Sequence, residues 1–337
     1  MKKKLHTSLG EIRVSADHTL MKRNNKFRMS GYLQELSCYA GQAMVFEEAS
    51  AFIGRYLNIT ITGKQIERVC HFYGGEIGQK IQEMIKKQEA VQKKPRKGIT
   101  YVMVDGAMVL TREKKWKEIK LGRVFDAENR IEVNKGRKLI TLSKYMAHLG
   151  EHEQFEEKMS TLIDNIPYKA FIGDGAKWIW NWVDTDYPEA IQILDYFHAK
   201  EHLCDFAALF FGSDTAGKNE WIKQQEGLLF NDDVELVIGN IRSLPKSGKK
   251  IIRKAQKALI NYYGQNKKRM LYKTYRNMGL MIGSGPIEAA NRHVIQHRMK
   301  RSGQRWTING LQQVANLRVV HKSDDWDTVL GMINKAA

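Results

Sequence analysis

Apolar residues recur every three or four positions along three stretches near the start of the chain. These stretches are YLQELSCYAGQAM (32–44), FEEASAFIGRYL (46–57) and KQIERVCHFYGGEIGQKIQEMIKK (64–87). The spacing puts apolar side chains on one face of an α-helix and therefore predicts three helices. Thr62 precedes the third stretch and is a candidate N-cap, because its hydroxyl can accept a bond from a first-turn N–H.

The second and third helices are separated only by NITITG (58–63). Such an arrangement is typical of a helix-turn-helix module, whose last helix enters the major groove of DNA. Lys64, Gln65 and Arg68 would then contact DNA. A small helical bundle has the same pattern, so residues 31–90 are expected to be helical whether or not they bind DNA.

The segments on either side of these helices are polar and basic. Residues 1–30 suit an N-terminal arm or a small irregular cap, and the pattern assigns them no element. KKQEAVQKKPRKG (86–98) is rich in lysine and contains a proline, which favours a linker.

After the linker, short apolar runs replace the helical spacing. ITYVMVDG (99–106), YKAFIGDG (168–175) and AIQILDYF (190–197) are typical of buried strands. Two more strands follow the first run, and a helix precedes each of the other two, so the pattern predicts an α/β core. Open sheets place their chemistry at the carboxyl ends of strands, and Asp105 and Asp174 stand there in Asp-Gly pairs.

Residues 205–276 have helical spacing with no strand signal between, which predicts an all-helical insertion. GLMIGSGPIEAANRHVIQHRMKRSGQRW (279–306) then begins a helix, with Ser284 as a candidate cap and Pro286 in the first turn. The predicted organisation is an arm (1–30), a mainly helical domain (31–90), the first part of the core (91–204), the insertion (205–276), and the last part of the core with basic C-terminal helices (277–337).

Composition narrows the classes of partner. Lysine and arginine number 55 against 37 acidic residues, and the formal net charge is +18. This excess favours nucleic acid as a partner, although a basic solvated surface has the same composition. The three cysteines are far apart and never form C-x-x-C, which argues for a reducing compartment and against a zinc ribbon. No signal-peptide h-region or long apolar run occurs, so we expect a cytoplasmic protein, nucleoid-associated when bound to DNA.

Asp105, Asp174 and Glu288 form a candidate metal site. A carboxylate trio can hold two divalent cations about 4 Å apart, one activating water or a hydroxyl and the other stabilising a leaving oxygen at phosphorus. Hard oxygen ligands select Mg²⁺ or Mn²⁺. Each residue also has a purely structural reading, because Asp-Gly is a common turn and the helix dipole favours an acid in a first turn. Two strands ending in Asp-Gly within a basic core favour the metal site.

The pentapeptide from His198 to His202 suggests another chemistry. H-x-x-E-H on a helix places two imidazoles one turn apart, where they can share a zinc ion while Glu201 works on a bound water. Glu288 is formally available as a third ligand. A zinc metallopeptidase is therefore an alternative, against which stand the strand predicted just before His198 and the high positive charge.

An ordered set of motifs resembles the DDE transposases of bacterial insertion sequences, in particular the Kra-type group. The likeness runs from about Gly31 to Asp327 and implies an RNase H-like core, with the first catalytic Asp on the first strand, the second after the fourth strand and the Glu on a late helix. The motifs are V-D-G at Asp105, G-D-G-A-K-W-I-W (173–180), I-L-D-Y-F-H-A-K-E-H-L (193–203), G-S-G-P-I-E-A (283–289) and R-M-K-R-S-G-Q-R-W (298–306).

The resemblance implies that Asp105, Asp174 and Glu288 are catalytic and hold two Mg²⁺ or Mn²⁺ ions. The gap of 288 − 174 = 114 residues is too long for a bare core and agrees with the predicted insertion. Asp195-Tyr-Phe-His198 matches an Asp-x-x-His signature of such transposases, which implies that His198 lies near the metal ions and the scissile phosphate. The implied activity is cleavage at transposon ends and strand transfer into target DNA, by at least a dimer on the DNA.

The sequence departs from the family pattern in two places. Relatives often carry a cysteine-paired zinc module near the N-terminus, which the cysteines here do not permit. Some place a lysine about seven residues after the Glu, where this chain has Ile295, so Arg298 or Lys300 would have to serve.

Other side chains are expected to contact DNA. Trp178, beside Asp174, can stack on an unpaired base, although packing under the sheet explains the tryptophan cluster as well. A DNA-binding regulator without catalysis is a third reading, but it leaves the three carboxylates unexplained. The basic residues expected at the DNA are Arg292, Arg298, Lys300, Arg301 and Arg305.

Overall fold

The computed structural model describes residues 2–7, 10–15, 27, 29–88, 98–134 and 137–335. The fold is α/β, as predicted, with a mixed five-stranded sheet. Within the described residues the strands are β1 (Lys2–Thr7), β2 (Gly10–Ser15), β3 (Thr100–Thr111), β4 (Lys115–Asp126), β5 (Arg130–Asn134), β6 (Arg137–Ile140), β7 (Lys144–Leu149), β8 (Lys169–Gly173) and β9 (Ile191–Leu194).

α-Helices contain most of the other described residues. They are α1 (Gly31–Ala43), α2 (Phe46–Leu57), α3 (Gly63–Lys86), α4 (His152–Ile163), α5 (Lys177–Asp186), α6 (Tyr196–Phe211), α7 (Thr215–Phe230), α8 (Val234–Ser243), α9 (Lys250–Asn266), α10 (Tyr272–Asn277), α11 (Gly285–Ala290), α12 (His297–Met299), α13 (Ile308–Lys322) and α14 (Asp327–Lys335).

The chain forms two compact units. The first unit contains Met1–Pro95, Gly106–Asn165 and Ala289–Ala337, and the second contains Arg96–Asp105 and Ile166–Glu288. The strand order of the five-stranded sheet is β7-β4-β3-β8-β9, and the division between the units falls within β3.

The three helices predicted near the start of the chain are present as α1, α2 and α3. Thr62 caps α3 as predicted: its hydroxyl accepts a bond from the N–H of Gln65, and the Gln65 side chain accepts one from the N–H of Thr62. This reciprocal capping box satisfies donors that the first helical turn would otherwise leave without a partner. Ser30 caps α1 in the simpler way, by accepting from the N–H of Leu33.

The core of the first unit joins the two ends of the chain. Apolar residues of α1, α2 and α3 pack in one buried cluster with Leu317 of α13 and with Val329 and Ile333 of α14. Residues 31–90 therefore do not bury their apolar faces among themselves alone, which explains why they share a unit with the C-terminal helices.

The remaining strands of the first unit are antiparallel. β4 pairs with β7, and α4 follows β7 with Phe155, Met159 and Ile163 buried, as its amphipathic pattern predicts. KLITLSKYMAHL (138–149), the second of the two strands predicted after the first apolar run, contains parts of two strands, β6 and β7. β6 forms a separate ladder with β5. In the arm predicted without any element, β1 and β2 pair as an antiparallel ladder. Most of the predicted linker 86–98 lies outside the described residues.

The second unit contains the parallel part of the sheet. The first half of β3 pairs in parallel with β8, and β8 pairs in parallel with β9. The short apolar runs form strands, as predicted. Their apolar side chains, such as those of Val102, Phe171 and Ile193, are buried. Residues 205–276, which the sequence predicts to be an all-helical insertion, contain helices α6 to α10, and α6 already begins at Tyr196.

None of the helices among the described residues is both long and apolar enough to cross a membrane.

Gly74 lies where α3 meets α13, and a Cβ there would stand 2.1 Å from the carbonyl oxygen of Gln313. We expect Gly74→Ala to force the helices apart and to lower the free energy of unfolding by about 1–3 kcal/mol, as overpacking does. Thermal unfolding measures this. Gly54→Ala on α2 is the matched control, because its nearest neighbour is at 3.7 Å. It should be neutral or stabilise the helix by up to about 1 kcal/mol. Equal losses at both positions would contradict the close helix contact.

Lys158 Nζ and His148 Nδ1 are 2.9 Å apart and both side chains are buried. Burial, and then the charge of Lys158, lowers the pKa of His148 from 6.5 to about 4. The unfolded chain therefore binds more protons between these pH values, so the free energy of unfolding should fall as pH falls through this range. We expect a loss of about 2 kcal/mol after screening. Denaturant unfolding of the protein and of His148→Gln measures it; an unchanged pH slope in the variant would contradict this origin.

Candidate active site

Three aspartates lie at one level across neighbouring parallel strands. Continuing the strand registers beyond their last pairs puts Asp105 beside Asp174, and Asp174 beside Asp195. Adjacent strands are about 4.8 Å apart, so these backbones carry a row of carboxylates where β8 and β9 end. The pairs from which the registers continue are Met103–Ile172 between β3 and β8 and Gly173–Leu194 between β8 and β9.

Asp195 is fully buried and is the N-cap of α6. Its Oδ1 accepts bonds from the N–H groups of Phe197 at 2.5 Å and His198 at 3.1 Å, and its Oδ2 accepts from the N–H of Ser284 at 2.6 Å. Three of about four acceptor positions on this carboxylate are therefore taken by backbone donors. The Asp-x-x-His spacing is explained structurally, because His198 is the third residue of the helix that Asp195 caps.

The backbone N–H groups of Asp195 and Tyr196 make two further bonds to neighbouring segments. The Asp195 N–H donates to the carbonyl of Gly173 at 2.8 Å, and the Tyr196 N–H donates to the carbonyl of Ile282 at 2.9 Å. The end of β9 is thus bonded to the end of β8, one residue before Asp174, and to the loop that leads into α11.

Glu288 lies in the first turn of α11. The hydroxyl of Ser284 is 3.5 Å from its Oε1. Oxygen atoms of Asp195 and Glu288 and a ring nitrogen of His198 all lie within 4.8 Å of one another. The structure thus draws Glu288 together with Asp195 and His198, a different trio from Asp105, Asp174 and Glu288.

Asp174 directly follows β8 and is held by two contacts. Its Oδ1 accepts from the N–H of Ala176 at 2.9 Å, and its carbonyl accepts from Nε1 of Trp180 at 2.7 Å. Trp180 is itself buried under the Arg269 guanidinium, which lies 4.5 Å from its ring. The Asp-Gly turn predicted here is therefore braced by Trp180, which follows it in the sequence.

Asp105 is half-buried and lies within β3. The sequence predicts that this strand ends at the Asp-Gly pair, but β3 continues to Thr111. The turn signal is overridden because residues beyond Gly106 also belong to a sheet ladder. Asp105 is nevertheless at the level where its parallel neighbour β8 ends.

The histidines of the H-x-x-E-H pentapeptide have separate surroundings. His198 Nδ1 lies 3.4 Å from a carboxylate oxygen of Glu201, and its side chain is 39% exposed. The ring of His202 lies 4.3 Å from that of Tyr262. The trio of ligand atoms found among the described residues includes His198 but neither Glu201 nor His202. This geometry does not favour a zinc site shared by the two histidines.

Some of the carboxylate oxygens at this edge of the sheet are suitable ligands for a hard cation. Asp174 has one carboxylate oxygen with no bond from any described residue, and Glu288 makes only the long contact with Ser284. Carboxylate oxygens of this kind are the ligands that Mg²⁺ or Mn²⁺ prefers. Asp195 has little acceptor capacity left, so its role in this structure is to hold the loop.

Two aromatic residues at this edge were missed by sequence reasoning. Phe197, in the first turn of α6, is 61% exposed although it is apolar. Tyr262, on α9, has a hydroxyl shielded from solvent and without a hydrogen-bond partner among the described residues. Burial, and then the charges of Asp174 and Asp195, raises the pKa of Tyr262. The position of Phe197 inside the Asp-x-x-His motif is a signal that the sequence offered, whereas its exposure is seen only in the structure. Tyr262 is distant in sequence and offered no signal.

The tryptophan cluster after Asp174 is mostly packed. Trp180 and Trp182 are buried, and Trp182 makes edge contacts with the rings of Phe171 and Tyr187. Trp178, which we expect to stack on a base, is half-buried.

The residues expected to read DNA from α3 lie within the first unit. Lys64 and Arg68 are exposed, and Lys64 forms an ion pair with Glu67 at 2.6 Å. Gln65 is exposed but is occupied in capping α3. The two cationic side chains expected to contact DNA from this helix are therefore at the surface.

Arg298 is enclosed within the first unit. Its side chain is fully buried, its Nε donates to the carbonyl of Gly41 at 3.0 Å, and its guanidinium lies 4.9 Å and 4.8 Å from the rings of Phe46 and Trp306. Burial lowers its pKa to about 10. This placement argues against a direct DNA contact by Arg298 and leaves Lys300, which is exposed, as the candidate after Ile295.

Three other basic residues close to Arg298 in the sequence are at the surface. Arg292, Arg301 and Arg305 are exposed, and Arg301 pairs with Glu48 at 2.7 Å.

Asp195→Asn replaces an oxygen that accepts a backbone N–H with an amide nitrogen that donates. We expect at least one bond to α6 or to the Ser284 loop to be lost, at a cost of about 1–3 kcal/mol in the free energy of unfolding. Denaturant unfolding measures it. The matched control is Asp214→Asn, where the exposed cap of α7 accepts only from the Gly217 N–H. Asn caps as well as Asp, so a change within about 0.5 kcal/mol is expected. Equal effects would contradict the tethering role of Asp195.

No model of a known protein family matches this sequence, and no curated protein matches it either.

Proposed function

We propose that the protein is a DNA transposase that cleaves DNA at the ends of its element and joins the freed 3′ hydroxyl to target DNA. The observation that carries the proposal is the row formed by Asp105, Asp174 and Asp195 across β3, β8 and β9, with Glu288 near Asp195. Carboxylates aligned at the carboxyl edge of parallel strands suit metal-dependent phosphoryl transfer.

The order of the strands supports an RNase H-like core. In chain order, the five strands of the large sheet are β3, β4, β7, β8 and β9. Asp105 is then on the first strand, Asp174 follows the fourth, and Glu288 is on a helix after the helical segment. This is the arrangement that the resemblance to DDE transposases implies.

In this proposal Asp105, Asp174 and Glu288 hold two Mg²⁺ or Mn²⁺ ions. When bound, such ions supply the charge that activates a water or a 3′ hydroxyl and that stabilises the leaving oxygen. Asp195 keeps Glu288 in place through the Ser284 N–H. His198, partly exposed beside Glu288, is suited to donate a hydrogen bond to the phosphate. Cleavage and strand transfer are both in-line displacements at phosphorus, so one site serves both.

The positive charge of the chain supports double-stranded DNA as the partner. Lys64 and Arg68 of α3, with Lys300, Arg301, Arg305 and Arg292, are exposed cations proposed to contact transposon ends or target. Phe197, exposed beside His198, is a stronger candidate than Trp178 for stacking on an unpaired base. Joining two ends to one target requires two sites, so we propose at least a dimer on DNA.

The alternatives have less support. A zinc peptidase needs His198 and His202 to face one ion, whereas His202 packs against Tyr262. A non-catalytic DNA-binding regulator gives no reason for a row of aspartates at one strand edge.

Asp105→Asn, Asp174→Asn and Glu288→Gln should each abolish metal-dependent DNA cleavage. Loss of one ligand removes several kcal/mol of charge stabilisation, so rates should fall by at least about a hundredfold. The assay is nicking of a plasmid that carries the reading frame with its natural flanking DNA, in Mg²⁺ or Mn²⁺. Chelation by EDTA should have the same effect as the variants, while DNA binding by gel shift persists.

The matched controls are Asp186→Asn on α5 and Glu220→Gln on α7, both at exposed positions of the second unit. They should cleave at the wild-type rate. An active Asp174→Asn protein, or a wild-type protein that binds DNA with no cleavage in either metal, would refute the assignment.

A further inference from the structure

The hydroxyl of Tyr262 is an unexplained feature of the second unit. It is shielded from solvent and donates to no described residue. Buried polar groups nearly always have a partner, and the exceptions in native proteins often mark a bound group or a catalytic role. The adjacent Tyr263 is ordinary by comparison, because its buried hydroxyl donates to the carbonyl of Ala199 at 2.8 Å.

The ring of Tyr262 lies directly over the Asp-Gly turn after β8. A Cβ on Gly175 would stand 2.1 Å from Cε2 and 2.9 Å from Cζ, the carbon that bears the hydroxyl. Only glycine therefore permits the ring to lie this close to the turn. The ring of His202, on α6, packs against that of Tyr262 with centroids 4.3 Å apart. Both contacts fix the ring beside the residue that follows Asp174.

The phenol of a tyrosine is protonated at neutral pH and can donate a hydrogen bond. Here it lies against the turn that follows Asp174 and has no acceptor among the described residues. A donor fixed in advance toward a position where negative charge develops stabilises a transition state strongly.

We propose that Tyr262 is a catalytic residue whose phenol, uncovered when DNA binds, donates a hydrogen bond to a non-bridging oxygen of the DNA phosphodiester that is cleaved. The inference rests on the proposed function and extends it, because it assigns a chemical role to the helical segment that carries α9. Gly175, in this proposal, is needed so that the ring can approach the turn.

Tyr262→Phe removes the hydroxyl and keeps the ring against Gly175 and His202. At saturating plasmid DNA carrying the reading frame and its natural flanks, the cleavage rate in Mg²⁺ should fall by about a hundredfold, as when one such donor is removed. The concentration of DNA giving half-saturation should stay unchanged. The thermal unfolding midpoint should stay the same or rise, because this hydroxyl has no hydrogen-bond partner among the described residues.

Tyr263→Phe is the matched control with the opposite expectation. It loses the bond to Ala199 and should lower the unfolding midpoint, while the cleavage rate of the folded protein stays at the wild-type value. A Tyr262→Phe protein that cleaves at the wild-type rate would overturn the proposal. So would a loss of rate accompanied by a lower unfolding midpoint like that of Tyr263→Phe, since the hydroxyl would then be structural.

Gly175→Ala tests the geometry independently. The added methyl should displace the ring and reduce cleavage about as much as Tyr262→Phe does. Combined with Tyr262→Ala, it should cause no further loss, because the atoms nearest to the methyl all belong to Tyr262. A full additional loss in the double variant would count against the contact.

Asp174→Asn, measured in parallel, separates the two proposals. If wild-type protein cleaves, Asp174→Asn does not and Tyr262→Phe does, the role of Tyr262 fails while the transposase proposal survives. If Asp174→Asn cleaves like wild-type protein, the transposase proposal itself fails.

Discussion

The buried carboxylate of Asp195 is the constraint on which the candidate site depends. A carboxylate removed from water is costly unless hydrogen bonds compensate it, and here three backbone N–H groups do so. Two of them belong to the first turn of α6 and the third to Ser284, so one side chain fixes both the helix that presents His198 and the loop that precedes Glu288. Because the buried charge of Asp195 requires these bonds, it fixes the positions of His198 and of the loop before Glu288.

Local patterns predicted the elements well, because helix and strand periodicity is a property of short segments. The three N-terminal helices, the Thr62 cap and the strands before Asp174 and Asp195 all follow from such patterns. Open sheets place their chemistry at the carboxyl ends of strands, and this rule indicated Asp105 and Asp174 as neighbours. The rule needs only parallel strands of similar length. Where a second ladder competes, local signals fail: β3 runs through an Asp-Gly pair that read as its end.

Contacts between distant segments were outside the reach of the sequence. Tyr262 is 87 positions from Gly175 (262 − 175), and nothing in the α9 pattern distinguishes its hydroxyl from that of Tyr263. Arg298 stands in R-M-K-R, which is typical of an exposed basic surface, but the rings of Phe46 and Trp306 enclose its guanidinium. Arg318 is likewise buried and donates to backbone carbonyls of Val294 and Gln42. Whether a basic side chain is exposed or buried depends on aromatic and carbonyl groups from distant segments, which only the fold brings together.

The shared core of the first and last helices has a consequence for synthesis of the chain. The indole of Trp326 donates to Glu35 at 2.8 Å across 291 positions, and Val329 and Ile333 pack in the cluster that contains Cys38. A ribosome releases α1 to α3 long before it makes α14, so their apolar faces await partners while the chain grows. High contact order of this kind slows folding and prolongs exposure of apolar surface. Synthesis of α14 is therefore the event that completes this core, and removal of α14 should destabilise α1 to α3.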